Sequence, residues 1–173
     1  MRTKTVATIF ILVYAALAYG VQGEWIKFSS PEGRFSVLLP HQPTLDKDTN
    51  TLITTYSFMS LAAGMAFTGT YADIPSIDSD PDTFLKDTRD VIVSKTGPMT
   101  GSDEKISLDS YPGREFEVAI VLPKGAAMSA RIRIYLVGKR LYSLTYISEK
   151  DSDAKVNAEN MARFFSSFKV TSE

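Results

Sequence analysis

The sequence predicts an α+β domain, an antiparallel β-sheet of about six to eight strands sandwiched by two main helices. Three observations carry this. Short runs that alternate apolar and polar residues recur along most of the chain, the period of half-buried strands. Two stretches, about residues 81–95 and 154–168, switch to helical spacing behind acidic or hydroxyl residues suited to capping. No internal repeat or low-complexity linker divides the chain, so residues 24–173 are expected to form one domain.

The first expected element is a hairpin: Trp25, Ile26 and Phe28, a turn at Pro31-Glu32-Gly33, then Phe35, Val37 and Leu39. Pro40, His41, Gln42 and Pro43 stop it, and Asp46 to Asn50 reads as a polar loop. A second pair of strands follows, Leu52 to Leu61 and Met65 to Tyr71, bending at Ala62, Ala63 and Gly64. Asp80 fits an N-cap and Pro81 the first helical position. Phe84, Leu85, Thr88, Val91 and Ile92 recur on that helix, and Gly97-Pro98 ends it. A short strand at Ile106 and Leu108 then precedes a turn at Tyr111-Pro112-Gly113. Arg114 to Leu122, Ala130 to Val137 and Arg140 to Ser148 read as three successive antiparallel strands. Asp151, Ser152 and Asp153 cap a second helix, with Ala154, Ala158, Met161, Ala162 and Phe165 on one stripe. Phe168 and Val170 return to the sheet or cover its edge.

Turn chemistry predicts the register of the last three strands. A two-residue turn at Gly138-Lys139 makes paired residue numbers sum to 277, placing Tyr135 opposite Tyr142 and Arg131 opposite Tyr146. A turn about Lys124 makes the preceding pairs sum to 248, placing Glu117 opposite Arg131 and Glu115 opposite Arg133. One face then carries Phe116, Val118, Ile120, Ile132, Ile134, Leu136, Leu141 and Ile147 and must be core. The other carries Glu115, Glu117, Arg131, Arg133, Tyr135, Arg140, Tyr142, Leu144 and Tyr146.

Composition removes much chemistry. Zero cysteines exclude thiol nucleophiles, disulfides and iron–sulfur ligation, and a single His excludes zinc sites built from several His. His41 between prolines, with no G-x-S-x-G anywhere, does not suggest a serine hydrolase. Gly64 and Gly69 have phosphate-loop spacing, but Thr70-Tyr71 stands where Lys and Ser or Thr are required. Asp78, Asp80 and Asp82 resemble the start of a calcium loop, yet Thr83 and Arg89 occupy the positions of its Gly and Glu, so helix capping explains them better. No metal or cofactor is expected.

The N-terminus has the grammar of a signal peptide: Arg2 and Lys4, then 18 uncharged residues from Val6 to Gly23 with an apolar centre, Ile9 to Leu17, and small residues at the end. Cleavage after Gly20 or Gly23 is favoured over Ala18, and residues 1–23 are taken as the leader. The alternative is an uncleaved anchor, weakened by Tyr14, Tyr19 and Gln22. Cleavage leaves 17 basic against 20 acidic residues, a net charge of −3. The expectation is an exported protein, periplasmic or extracellular, without a stable membrane anchor.

The mixed face admits several readings. Glu115 and Glu117, about 7 Å apart on one strand, have the separation of an inverting glycosidase pair, but arginines opposite both would hold them ionised. Arg131, Arg133, Tyr135, Arg140, Tyr142 and Tyr146 together form a candidate partner-binding face, since Tyr and Arg are the residues that interfaces favour. Stacking of nucleic-acid bases is conceivable there, but the two glutamates dilute the patch and no nucleic acid is expected. Alternatively it is a solvated face tied by ion pairs, or the helix at 154–168, with Phe164 to spare, covers it.

The stretches Trp25 to Pro40, Arg133 to Leu144 and Arg163 to Phe168 resemble the opening, the closing hairpin and the last helix of small exported bacterial domains of unknown function. These are similar in element order to the PsbP-like fold of the photosystem II oxygen-evolving complex. The resemblance spans nearly all of Trp25 to Val170 and rests on turns and core strands. It implies a PsbP-like fold and an accessory or binding role, and it supplies no catalytic residue. The function expected is therefore a non-enzymatic binding domain for a protein or small ligand, with a hydrolase or carbohydrate-active enzyme using Glu115 and Glu117 as the alternative.

Overall fold

A computed structural model of the chain describes residues 24–50, 52–121, 127–149 and 154–171. The expected leader at residues 1–23, the turn around Lys124 and the capping residues Asp151, Ser152 and Asp153 lie outside the described residues. In chain order the strands are β1 (Ile26–Ser30), β2 (Phe35–Leu39), β3 (Thr44–Thr49), β4 (Thr54–Ala62), β5 (Met65–Asp73), β6 (Glu104–Leu108), β7 (Tyr111–Val121), β8 (Ala127–Val137), β9 (Arg140–Glu149) and β10 (Lys169–Val170). The helices are α1 (Pro81–Thr96) and α2 (Ala154–Ser167). Seven strands form one antiparallel sheet of order β3-β4-β5-β9-β8-β7-β6, and three form a small sheet of order β1-β2-β10.

The register of β7, β8 and β9 follows the turn chemistry. Glu115 pairs with Arg133 and Glu117 with Arg131, while Tyr135 pairs with Tyr142 and Arg131 with Tyr146. The apolar face of these strands packs under α1, where Leu85 is buried and Phe84, Ile92 and Val93 lie against Phe116, Val118, Ile132 and Ile134. Asp80 caps α1 as its position predicts: its carboxylate accepts from the backbone N–H groups of Asp82 and Thr83 and from the Thr83 hydroxyl.

Two local expectations are corrected. Of the polar run expected as a loop at Asp46 to Asn50, Asp46 to Thr49 belong to β3, an edge strand exposed along its whole length. Its charges suit an edge, where they discourage pairing with another chain. The turn comes later, where the Asn50 side chain accepts from the N–H groups of Leu52 and Ile53. Likewise Tyr111-Pro112-Gly113 does not turn the chain but begins β7, and Asp109, with φ 51°, occupies the tight turn before it. Pairing with β8 starts only at Gly113, so the missing N–H of Pro112 removes no bond from that ladder.

The mixed face is corrected in its environment. It is the floor of the second core, covered by α2 and the small sheet. Phe67 and Tyr146 on this face contact each other with ring centroids 5.2 Å apart, and Phe164 of α2 and Trp25 close over Phe67 at 5.5 and 5.2 Å. Phe168 stacks on Tyr135 and meets Tyr142 edge-on. Two glycines make room for these rings. A Cβ at Gly69 would stand 2.5 Å from the Phe58 ring, and one at Gly113 would stand 2.5 Å from Tyr135 Cδ1, so the rings lie directly on bare backbone. The small sheet joins chain ends far apart in sequence: Lys169 pairs with Ser36 and Val170 with Phe35. Beyond that two-residue strand, the Ser167 hydroxyl accepts from the Leu38 N–H at 2.9 Å and donates to the Phe164 carbonyl at 2.7 Å, linking α2 to β2.

Candidate functional site

Alternation along β7 and β8 projects Glu115, Glu117, Arg131 and Arg133 from one side of the sheet, next to α2. Their charged ends form a ladder. Arg131 donates to Glu115 at 3.1 Å and to Glu117 at 2.7 Å, and Arg133 donates through Nε to the second oxygen of Glu115. Ser129 donates to Glu117 at 2.7 Å and Thr100 at 3.3 Å. Thr100 is in place because the segment after α1 runs beside β7, its N–H donating to the Glu117 carbonyl while Ala119 donates to Pro98. The Arg133 guanidinium lies 4.5 Å from the centre of the Phe165 ring, which holds it against α2.

Of the six residues expected to form a binding face, the structure keeps two partly open. The Arg131 and Arg133 side chains are 37% and 30% exposed. Tyr135, Tyr142 and Tyr146 are buried at 3%, 2% and 3%. Tyr142 donates to the Gly33 carbonyl at 2.7 Å and Tyr146 to Asn157 of α2 at 3.0 Å, so their polar ends serve the interior. Arg140 grips both oxygens of Asp73 at 2.7 Å and donates to the Glu32 carbonyl at 2.8 Å. Its guanidinium therefore fastens β9 to β5 and to the first hairpin. These four are not an open surface, because α2 and the small sheet occupy the space above them.

The lone His41 serves through its backbone. Ser60, itself buried, accepts from the His41 N–H and donates to the His41 carbonyl, which pins the proline-flanked segment to β4. Asp82, from the aspartate triplet, pairs with Arg114 and Lys105.

A second network escaped the sequence reading. Arg114 points to the apolar, α1-covered face, its side chain only 9% exposed, and pairs with Asp103 and Asp82, while Arg89 of α1 also pairs with Asp103. A signal was present: Arg114 shares the strand parity of Phe116 and Val118, and an arginine on a core face needs an acid. Nothing local says which one.

The electrostatics of both networks run one way. The Arg114 hydrogen bond to Asp103 holds that carboxyl below the usual range, against its partial burial. Burial pushes Glu117 up, but bonds from Ser129 and Arg131 outweigh it and leave the group below its ordinary value. Acids depressed in the folded state stabilise it fully above the unfolded pKa, and that stability is lost as pH falls through the folded value. Stability is thus expected to fall as the pH drops below about 5. Urea unfolding midpoints measured down the pH scale test this, and Asp103→Asn should lower the midpoint at neutral pH and flatten the acid limb.

No protein-family model matches the sequence, and no curated protein matches it. Solved structures do match. The cyanobacterial PsbP protein, CyanoP, from Synechocystis sp. aligns over 88% of this chain and 97% of its own, with a TM-score of 0.56 at 15% identity. The fold is PsbP-like. A Bacteroides thetaiotaomicron protein aligns over 85% of this chain at 13% identity with a TM-score of 0.47, and this chain spans about half of it, 48%. A Pseudomonas aeruginosa protein of unknown function, described as a putative regulator, aligns over 81% of this chain and 94% of its own at 10% identity with a TM-score of 0.44. At these identities the PsbP-like match establishes architecture alone.

Proposed function

We propose that the chain is an exported, non-enzymatic accessory or binding domain that acts through contact with a protein or a small ligand. The observation that carries this reading is the commitment of Glu115 and Glu117 to arginines. A carboxyl that donates a proton in glycoside cleavage must hold it near neutral pH, which requires a raised pKa. Glu117 is shifted the opposite way. The hollow bounded by Gly101, Ser102, Glu115, Phe116, Glu117 and Arg131 encloses about 90 Å³. Ligand pockets usually begin near ~300 Å³. A ladder of paired charges at a half-open surface suits recognition better than proton transfer, with Arg131 and Arg133 as the contact residues. The PsbP-like fold adds an analogy to accessory proteins, and the pattern of residues 1–23 supports export.

The test compares the wild-type chain with Arg131→Gln/Arg133→Gln, recovered from the exported fraction of producing cells. Intact mass should show loss of the leader, and retention of Met1 to Tyr19 in a membrane fraction would overturn export. The double replacement is expected to cost about 1–3 kcal/mol, because it strips a largely buried Glu115 of its partners. Below the melting temperature of the variant, a component that co-purifies with the wild type should be lost from it. Hydrolysis of a glycoside or ester panel that Glu117→Gln abolishes would establish the enzymatic alternative instead.

A further inference from the structure

Alternation along the small sheet sends Phe28, Phe35 and Val37 into the core and Lys27, Ser36 and Lys169 to the opposite side, with Leu38 half-buried at the edge of the core. There they meet the last turn of α2 around a groove of about 380 Å³, also lined by Arg163, Ser166 and Ser167. Three cations line it, Lys27 from the start of the domain and Arg163 and Lys169 from its end, and among the described residues no carboxylate does. This concentration of positive charge stands on a chain whose formal net charge is −1. Among the described residues no acid lies within ion-pair distance of Lys27, Arg163 or Lys169. Arg163 is steadied by Trp25, its guanidinium 4.9 Å from the ring centre, a contact that leaves its charge uncompensated.

We propose that this groove binds a phosphate-bearing ligand. Lys27 pairs with Leu38 on one side of β2, and Lys169 pairs with Ser36 on the other. From strand spacing and rise their Cα atoms lie about 12 Å apart, so the two ammonium groups approach a ligand from opposite sides while Arg163 comes from the helix. The Ser166 hydroxyl, which donates to the Arg163 carbonyl at 3.4 Å, lies beside them. The C-terminus of α2 opposes an anion with roughly half a negative charge, which three full positive charges outweigh. The volume admits a small phosphate ester, and the openness of the groove equally admits the phosphate of a lipid headgroup. The site is separate from the Arg131 and Arg133 ladder and does not depend on it.

The experiment uses the purified full chain and its Lys27→Gln/Lys169→Gln variant. Both side chains are exposed and, among the described residues, outside any ion pair, so the variant should melt with the wild type. Calorimetry with inorganic phosphate and with glycerol 3-phosphate is paired with sedimentation on phosphatidylglycerol and phosphatidylcholine vesicles. Only the excess on phosphatidylglycerol counts, because residues 6–23 are apolar enough to bind any bilayer. Wild-type binding that weakens at least about tenfold in the variant and falls with added salt is expected. Binding of the soluble ester without a vesicle excess assigns a small phosphate ester, whereas an excess that the ester displaces assigns a headgroup. Absence of binding to every probe, or equal binding by the variant, overturns the proposal.

Discussion

Replacing Arg114 with alanine is expected to cost about 3–5 kcal/mol, the penalty of removing one member of a buried ionic network. Its guanidinium meets both oxygens of Asp103, through Nε at 2.9 Å and a terminal nitrogen at 2.7 Å, and the other terminal nitrogen reaches Asp82 at 2.7 Å. One side chain thereby ties β7 to the first turn of α1 and to the segment before β6. Without it, Asp103, with a side chain only 13% exposed, keeps Arg89 alone. Arg114→Lys retains the charge but not the planar fork, and should fall between wild type and Arg114→Ala. Urea unfolding at neutral pH gives the number. A loss below about 1 kcal/mol would place the network with ordinary surface pairs.

Tyr142→Ala is expected to destabilise by a similar ~3–5 kcal/mol, the scale for truncating a buried aromatic side chain. The ring is fully enclosed, with centroid distances of 6.1 Å to Phe35, 6.4 Å to Tyr71 and 5.5 Å to Phe168. Tyr142→Phe isolates the polar part: it keeps the ring and removes the hydroxyl with its bonds to the Gly33 carbonyl and to Arg140, at about 1 kcal/mol for each. The pair of variants separates a core from a solvated face. A solvent-facing tyrosine would lose no more than about 0.5 kcal/mol in either.

How far the sequence reached is clearest in β7, β8 and β9. Their pairing follows from the two-residue turn at Gly138-Lys139, a turn assumed about Lys124 and strict alternation, because a slip of one residue would drive arginines into the α1 core. The start of α1 was equally legible, since Asp80 and Pro81 act through their own backbone neighbours. The ion-pair ladder came with the register, for residues directly opposite on one face must meet. Polar composition misled at β3 and a turn-like triplet misled at Tyr111, because an edge strand and the end of a long strand tolerate residues that a central strand does not.

Alternation divided the large sheet into two faces and put an apolar core on one of them. Whether Tyr135, Tyr142 and Tyr146 face water or a second layer leaves no local trace, since their rings are apolar and their hydroxyls accept either partner. The tertiary structure decided it by bringing Phe164, Phe168 and the strands at 26–30, 35–39 and 169–170 together over those rings. Packing of the helix at 81–96 on the other face chose Asp103 and Asp82 for Arg114, and closure of the small sheet gathered Lys27, Arg163 and Lys169 around one groove. Sequence therefore determined what depends on neighbours along the chain and across a turn. Contacts between elements that do not neighbour one another across a turn depend on how the layers stack, and only the folded chain contains that information.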